Sequence, residues 1–278
     1  MERIDLHVHT NASDGSYSPE EVVRYASEKD LAAIAITDHD TASGASEGLG
    51  CAEKYGIEVI PGIEISTDYK GLGVHILGYF IDPESEALRP VLDWIIRDRD
   101  RRNDEIISLM QRDGIPVTHE SLQARFPHSI IGRPHFAAAL VDCGMVKDVR
   151  EGFEKYLNRG KKYFRPRRFI GVEEAIGAIK GAGGKAVFAH PLQYNLRQDE
   201  LMKLTITLRD CGVVGMECLY SGYGEAESEF LSKIAKSFGM CVTGGSDFHG
   251  RGKPNIDIGS GTGSLCVPYE LLDKLRAR

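Results

Sequence analysis

The chain carries no Cys-x-x-Cys pair, no apolar run of membrane-spanning length, no internal repeat or low-complexity tract, and no surplus of basic residues. Each absence bears on a class. Six cysteines, Cys51, Cys143, Cys211, Cys218, Cys241 and Cys266, without short regular spacing suggest neither a zinc ribbon nor a disulfide framework, and predict reduced, mostly buried thiols. Without a stretch of about 20 apolar residues, no membrane-spanning helix is expected. Glu2-Arg3 after Met1 leads straight into a strand-like run, which leaves no room for a signal peptide and makes the cytoplasm the expected compartment. A formal charge of −7 argues against the broad basic face by which a dedicated duplex-DNA binder displaces counterions. Bound divalent cations would offset part of that acidity. With 278 residues and 42% hydrophobic content, the chain can bury the core of one large α/β enzyme domain with room for an insertion, and a monomer is expected.

What is present is a recurring type of strand end. In Asp5-Leu6-His7-Val8-His9, side chains two apart share a face, so Asp5, His7 and His9 point inward while Leu6 and Val8 face covering helices. Asp14 follows after a polar turn. One His-x-His pair arises by chance often enough to prove little. An apolar, β-rich run delivering His, Asp or Glu recurs, however, at Ile36-Thr37-Asp38-His39-Asp40, Ile63-Glu64, His75, Phe188-Ala189-His190 and Ser246-Asp247-Phe248-His249. The series carries the argument.

Between these ends the spacing predicts helices. Ser18-Pro19-Glu20-Glu21 is a capping box with proline at the first helical position, and a helix should run to about Lys29. Leu31–Thr37 reads as a buried parallel strand, Ser43–Tyr55 as a helix, Glu58–Ile65 and Gly73–Phe80 as strands. Such alternation predicts an α/β fold, a parallel barrel with its chemistry at the carboxyl face. It stops at residues 82–166, where helical periodicity alone remains, and resumes in 167–278 with helices 172–182, 199–210 and 225–238 and strands ending at His190, Leu219 and Gly244. The expected organisation is thus barrel 1–81, inserted helical segment 82–166, barrel 167–278, with about seven barrel strands. Arg97-Asp98-Arg99-Asp100-Arg101-Arg102 reads as a solvated, salt-bridged helix face.

Nine side chains would converge at the strand ends: His7, His9, Asp14, His39, Glu64, His75, His190, Asp247 and His249. A catalytic zinc takes three protein ligands and leaves one position open, so nine predict two to three divalent ions, with a carboxylate such as Glu64 bridging two. Mixed nitrogen and oxygen donors suit Mn, Fe or Zn better than Ca or Mg. Asp5, Asp38 and Asp40 are expected to orient ligand imidazoles through their second ring nitrogen. His119 and His128, in the helical segment, read as structural.

The motifs DLHVHTNASDG, TDHD, GIE, the histidine of HILG, AHP and SDFH resemble those of the polymerase and histidinol phosphatase (PHP) family. GRPHFA, YLNRGK and GGKAVFAHP further resemble its branch of 3′,5′-nucleoside bisphosphate phosphatases and 5′-to-3′ exoribonucleases. The resemblance implies a distorted (β/α)7 barrel with a trinuclear site: His7, His9, Glu64 and Asp247 on one ion; Glu64, His75 and His190 on a second; Asp14, His39 and His249 on a third. It implies attack on phosphorus by a metal-bridged hydroxide, with Asp247 and His249 as candidate catalytic groups. Arg133 and His135, with Lys161 and Arg197 as weaker candidates, would hold a second phosphate. The implied substrate is a 3′,5′-bisphosphonucleotide such as pAp, with a short 5′-phosphorylated RNA or another phosphate ester such as histidinol phosphate as alternatives. An amidohydrolase also begins with His-x-His but needs a differently populated binuclear site, often with a bridging lysine carbamate, and no strand-end lysine suits that role. A metal- and nucleotide-binding regulatory module without turnover is a reading of another class, against which the full ligand set stands.

Overall fold

The computed structural model describes residues 2–278. Among them the strands are β1 (Arg3–Val8), β2 (Leu31–Ile36), β3 (Glu58–Tyr69), β4 (Leu72–Tyr79), β5 (Ile170–Gly171), β6 (Lys185–Phe188), β7 (Gly215–Tyr220), β8 (Cys241–Gly245) and β9 (Val267–Pro268). The helices are α1 (Pro19–Glu28), α2 (Ser43–Tyr55), α3 (Arg89–Arg112), α4 (His119–Arg125), α5 (Arg133–Asp142), α6 (Val149–Gly152), α7 (Val172–Gly181), α8 (Gln198–Cys211), α9 (Glu225–Ser237) and α10 (Glu270–Arg276). The sheet runs β8-β7-β6-β4-β3-β2-β1-β9, and a parallel bridge from Val8 to Phe248 brings its ends together. A nearly closed barrel results, with the two-residue strands β5 and β9 at its margin. No described helix is long and apolar enough to cross a membrane.

Local chemistry places these elements. Ser18 Oγ accepts from the Glu21 amide at 3.2 Å and Glu21 Oε2 from the Ser18 amide at 2.8 Å, so α1 starts where its capping box predicts. Leu6 packs in one cluster with Leu272 and Leu275 of α10, and Val8 in another with Val22 and Val23 of α1. The alternation in β1 therefore sends its polar side chains inward.

One expectation needs correcting. β4 pairs antiparallel with both β3 and β6, so the barrel is not all parallel. β3 runs on past Ile65 to Tyr69 and turns through Lys70-Gly71, both with positive φ, into β4. The reversed direction puts His75, near the start of β4, opposite Ser66. His75 thereby reaches the end of the barrel that the other strands reach with their C-termini.

Helices α3 to α6 bury a cluster of their own, including Ile106, Met110, Leu122, Phe136, Leu140, Leu157 and Tyr163. The charged run in α3 is only in part a solvated, salt-bridged face: Arg97 and Asp100 are exposed and Arg101 pairs with Asp98 and Glu105, but Asp98, Arg99 and Arg102 are buried. Arg99 and Arg102 turn toward the cavity at the barrel mouth, and Asp98 accepts from Arg101 and the Arg168 amide. The thiols also differ from expectation, since only Cys218 and Cys241 are buried and Cys143 and Cys266 are exposed.

Candidate active site

The ends of the strands bring the nine predicted side chains to one place, and Glu64 is their hub. Its Oε2 lies 3.2 Å from His7 Nε2, 3.3 Å from His9 Nε2 and 3.0 Å from His39 Nδ1; its Oε1 lies 2.8 Å from His75 Nδ1 and 2.8 Å from His190 Nε2. His9 Nε2 is 3.2 Å from Asp247 Oδ1, and His249 Nε2 is 3.2 Å from Asp14 Oδ1. Donor atoms on one ion with bonds of about 2.0–2.1 Å stand roughly 3.3 Å apart in a tetrahedron, so these separations, which are also hydrogen-bonding distances, are close to those of a shared coordination shell. Four groups of donor atoms gather within 4.8 Å: His9, Asp14, His39 and His249; His7, Glu64 and His190; His7, His9 and Asp247; His39, Glu64 and His75.

Several of these atoms are buried without a hydrogen bond of good geometry, both ring nitrogens of His9, His39 Nδ1, His190 Nδ1 and Asp14 Oδ1, although carboxylate oxygens stand 3.2–3.3 Å from His9 Nε2 and 3.0 Å from His39 Nδ1. Buried polar atoms are seldom left unpaired, and His9, Asp14 and His39 gather in one group of donor atoms with His249. The residues fit divalent metal ions. Burial would depress the imidazoles and raise the carboxyls, but opposite charges packed together outweigh it at most positions. Glu217, Glu64 and Asp247 hold His7 well above its ordinary value, and hydrogen bonding to Asp247 and Glu64 lifts His9 to about 9. Glu64, Asp14 and Asp247 are held well below the carboxylate range by the surrounding cationic groups, despite burial. At His39 burial wins, lowering it to about 3. A clustering of oppositely perturbed groups at a cleft is characteristic of functional sites.

Backbone geometry aims these side chains. Asp40, His190 and Asp247 all adopt positive φ, a strained conformation for residues other than glycine that turns the chain sharply out of its strand. Gly245 has no alternative, because a Cβ there would stand 2.4 Å from His7 N and Cβ.

The supporting carboxylates differ from the expected ones. Asp5 accepts from the amides of His7, Ser246 and Gly259, and Asp38 from the Thr10 amide and the Thr10 and Ser13 hydroxyls. They fix the loops that carry the ligands and make no hydrogen bond to an imidazole. Asp40 accepts from the Ser66 amide and hydroxyl and pairs with Arg99 and Arg167. The imidazole partner is Glu217, whose Oε1 accepts from His7 Nδ1 at 2.9 Å while Oε2 accepts from the His190 amide at 2.7 Å. A lone glutamate inside the apolar run Val213–Tyr220 was the available signal.

Beside the cluster opens a cavity of about 650 Å³, lined on one side by Asp14, His39 and His75 and on the other by Arg99, Arg102, Arg133, Arg159, Arg165 and Arg167, with Phe153, Phe164 and Phe169. Arg133 is there as predicted, its guanidinium over Phe153 and Phe164. Three other candidates are not among the lining residues. His135 Nδ1 accepts from the Gly132 amide at 2.8 Å and its ring packs edge-on against Phe126. Lys161 is exposed, and exposed Arg197 pairs with Asp199 and Glu200 at the start of α8. In their place stand Arg99, Arg102 and Arg167. Arg102 is 2% exposed, and its Nε and Nη2 have no hydrogen-bond partner. Burial, then the neighbouring charges of Arg99, Arg167 and Arg133, lower it to about 8.

The PHP domain profile matches residues 5–173. The chain belongs to the PHP domain family. It is 35% identical over 247 residues, 89% of this chain and 90% of the relative, to a 5′-3′ exoribonuclease of Haemophilus influenzae. It is 34% identical over 260 residues, 93% of this chain and 91% of the relative, to a 3′,5′-nucleoside bisphosphate phosphatase of Chromobacterium violaceum. A solved structure from Bifidobacterium adolescentis, assigned as a metal-dependent phosphoesterase, superposes with a TM-score of 0.88 at 31% identity, covering 99% of this chain and 96% of that one. A Chromobacterium violaceum structure described as an amidohydrolase, with bound sulfate and no metal, superposes with a TM-score of 0.86 at 34% identity over 99% and 96%. This PHP-domain chain is a metal-dependent phosphoesterase.

Proposed function

We propose that this enzyme removes the 3′-phosphate of 3′,5′-bisphosphonucleotides. The observation that carries the reading is that one cavity has two walls suited to anions: Asp14, His39 and His75, the exposed edge of the nine-residue cluster, and a buried arginine without a hydrogen-bond partner at Nε and Nη2, Arg102, flanked by Arg99, Arg133 and Arg167. A monophosphate would use one wall. A bisphosphate uses both, and the similarity to a bisphosphate phosphatase supports that match.

In this reading His7, His9, Glu64 and Asp247 hold one ion, Glu64, His75 and His190 a second, and Asp14, His39 and His249 a third, with Mn, Fe or Zn as the suitable elements. When bound, such ions neutralise the phosphoryl oxygens and supply a nucleophile at neutral pH. Glu217 locks the ring of His7 and the backbone of His190, so the ligands stand preorganised before substrate arrives. Arg102, Arg99, Arg133 and Arg167 grip the non-reacting phosphate and fix the ester relative to the cluster, lowering the entropic part of the barrier. The helical segment 82–166 acts as the cap that excludes water. Phe153, Phe164 and Phe169 give the nucleoside an apolar wall.

A second reading is favoured by the similarity to the Haemophilus influenzae exoribonuclease: the arginine wall takes the 5′-phosphate of a short RNA and the terminal phosphodiester is cut. One experiment separates the two. With manganese supplied, phosphate release is compared for adenosine 3′,5′-bisphosphate, 5′-AMP, histidinol phosphate and a 5′-phosphorylated RNA oligomer. Preference for the bisphosphate is expected. A shortening RNA ladder without release from the bisphosphate establishes the second reading, and hydrolysis of none of the four rejects both.

A further inference from the structure

The two oxygens of Asp247 have different neighbours. Its Oδ2 accepts from the Tyr220 hydroxyl at 2.6 Å and from the Lys253 ammonium at 2.6 Å. Its Oδ1 faces His9 Nε2 at 3.2 Å, His249 Nδ1 at 3.4 Å and His7 Nε2 at 3.7 Å. The two donors come from separate places, Tyr220 from the end of β7 and Lys253 from just beyond the turn Gly250–Gly252, yet they meet at one atom. Neither belongs to the motif set that marks the ligands. The Tyr220 phenol is buried, and its hydroxyl donates to Asp247. The Asp247 backbone is fixed as well, with φ of 58° and its amide donating to the His7 carbonyl at 2.8 Å.

A carboxylate with both oxygens free can bind a cation through one or both. Here one lone-pair edge is already filled by two strong donors, one of them charged, and charge-assisted bonds of this length are among the stronger ones in proteins. Only Oδ1 is left to face the imidazoles. We propose that Tyr220 and Lys253 form a two-donor clamp that restricts Asp247 to one-oxygen ligation beside His7 and His9, which makes both of them positioning residues for phosphoester hydrolysis. The clamp rests on reading the cluster as a metal-dependent phosphoesterase centre. It also leaves Asp247, a candidate catalytic group, with no free oxygen to carry a proton to the leaving alcohol, because Oδ2 accepts from two donors and Oδ1 is turned to the histidines.

The test uses cobalt(II) as the probe ion and p-nitrophenyl phosphate as a substrate that needs no second-phosphate grip. Wild type, Tyr220→Phe, Lys253→Met, Lys253→Arg and the Phe/Met double variant are loaded with cobalt and followed by visible absorption and turnover. Lys253 is partly exposed and Tyr220→Phe removes only a hydroxyl, so the single variants should fold. Each single variant is expected to lose about 10- to 100-fold in kcat, the usual range for partners of metal ligands, with KM little changed. The cobalt bands should weaken as Asp247 gains a second contact and the coordination number rises. Lys253→Arg should recover most of kcat, and the double variant should be little worse than the poorer single one, because both donors act on one oxygen. Cobalt spectra and kcat unchanged from wild type in both single variants overturn the clamp. A wild type that binds cobalt but hydrolyses no phosphate ester rejects the phosphoesterase reading instead, and the spectra still judge the clamp.

Discussion

Asp40, fully buried at the end of β2, pairs with Arg99 of α3, whose side chain is 10% exposed, and so joins the barrel to the helical segment. The same Asp40 oxygen lies 3.3 Å from Arg167. One carboxylate thus restrains two arginines that would otherwise repel each other and Arg102.

Asp40→Asn should therefore destabilise the protein by about 3–5 kcal/mol, the usual result of leaving a buried charge unpaired, read from the urea midpoint at constant slope. The effect depends on pH. Burial raises the Asp40 carboxyl, but Arg99 and Arg167 pull it well below the ordinary range. A carboxyl lowered in this way contributes stability that is complete above its unfolded value, about 4, and is lost as pH falls through that value toward the folded one. The gap between wild type and variant should therefore narrow below about pH 4. A gap that stays constant from neutral pH to about pH 3 would show that the charge of Asp40 is not the cause.

Arg102→Met should behave in the opposite way. It removes a buried cation with unpaired Nε and Nη2, so the ligand-free protein should be at least as stable as wild type. Hydrolysis of a 3′,5′-bisphosphonucleotide should nevertheless fall by about 10- to 100-fold in kcat/KM, the worth of one or two lost hydrogen bonds to a charged group, while p-nitrophenyl phosphate is spared. Arg133→Ala should show the same selectivity with metal content intact. Equal loss on both esters would remove these arginines from the second-phosphate site.

Glu217→Gln keeps the shape but loses the charge that fixes the His7 ring. Metal content after dialysis, measured by elemental analysis, should drop along with activity, by about 10- to 100-fold in affinity. Retention of full metal content and full turnover would leave Glu217 a structural residue only.

Gly245→Ala places a methyl 2.4 Å from His7 N and Cβ, atoms of a packed strand that have no room to yield. A loss of about 1–3 kcal/mol is expected from overpacking, together with weaker metal binding as His7 is displaced. A variant with wild-type melting temperature and metal content would show that β1 can move.

The strand ends were legible because metal-competent residues in apolar runs leave a one-dimensional trace. His7, His39 and His190 each follow a buried run, and α1 announces itself through Ser18 and Glu21. Direction was not legible. β4 has the same composition whichever way it pairs, and only the Lys70-Gly71 turn decides. The arginine wall escaped for a related reason: Arg99 and Arg102 sit in a run of alternating charge, and which face of α3 is dry depends on the barrel beneath it. Lys161 and Arg197 fit the chemistry by residue type, yet the chain leads them to the surface. Glu217 and Tyr220 lie in a strand that looks structural, because their contacts are with His7, His190 and Asp247 on other strand ends.

The hairpin of β3 and β4 also sets a schedule. Glu64 and His75 are 11 residues apart, whereas Glu64 and His7 are separated by 57 and Glu64 and His190 by 126. Closing a loop costs about 0.6 kcal/mol more for each doubling of its length, so the His190 contact carries roughly 2 kcal/mol more chain entropy than the His75 contact. The first pair of ligands can form on a local hairpin before the rest of the barrel exists. The proposed ligand set thus has its lowest loop-closure cost at the Glu64–His75 pair and its highest at Glu64–His190.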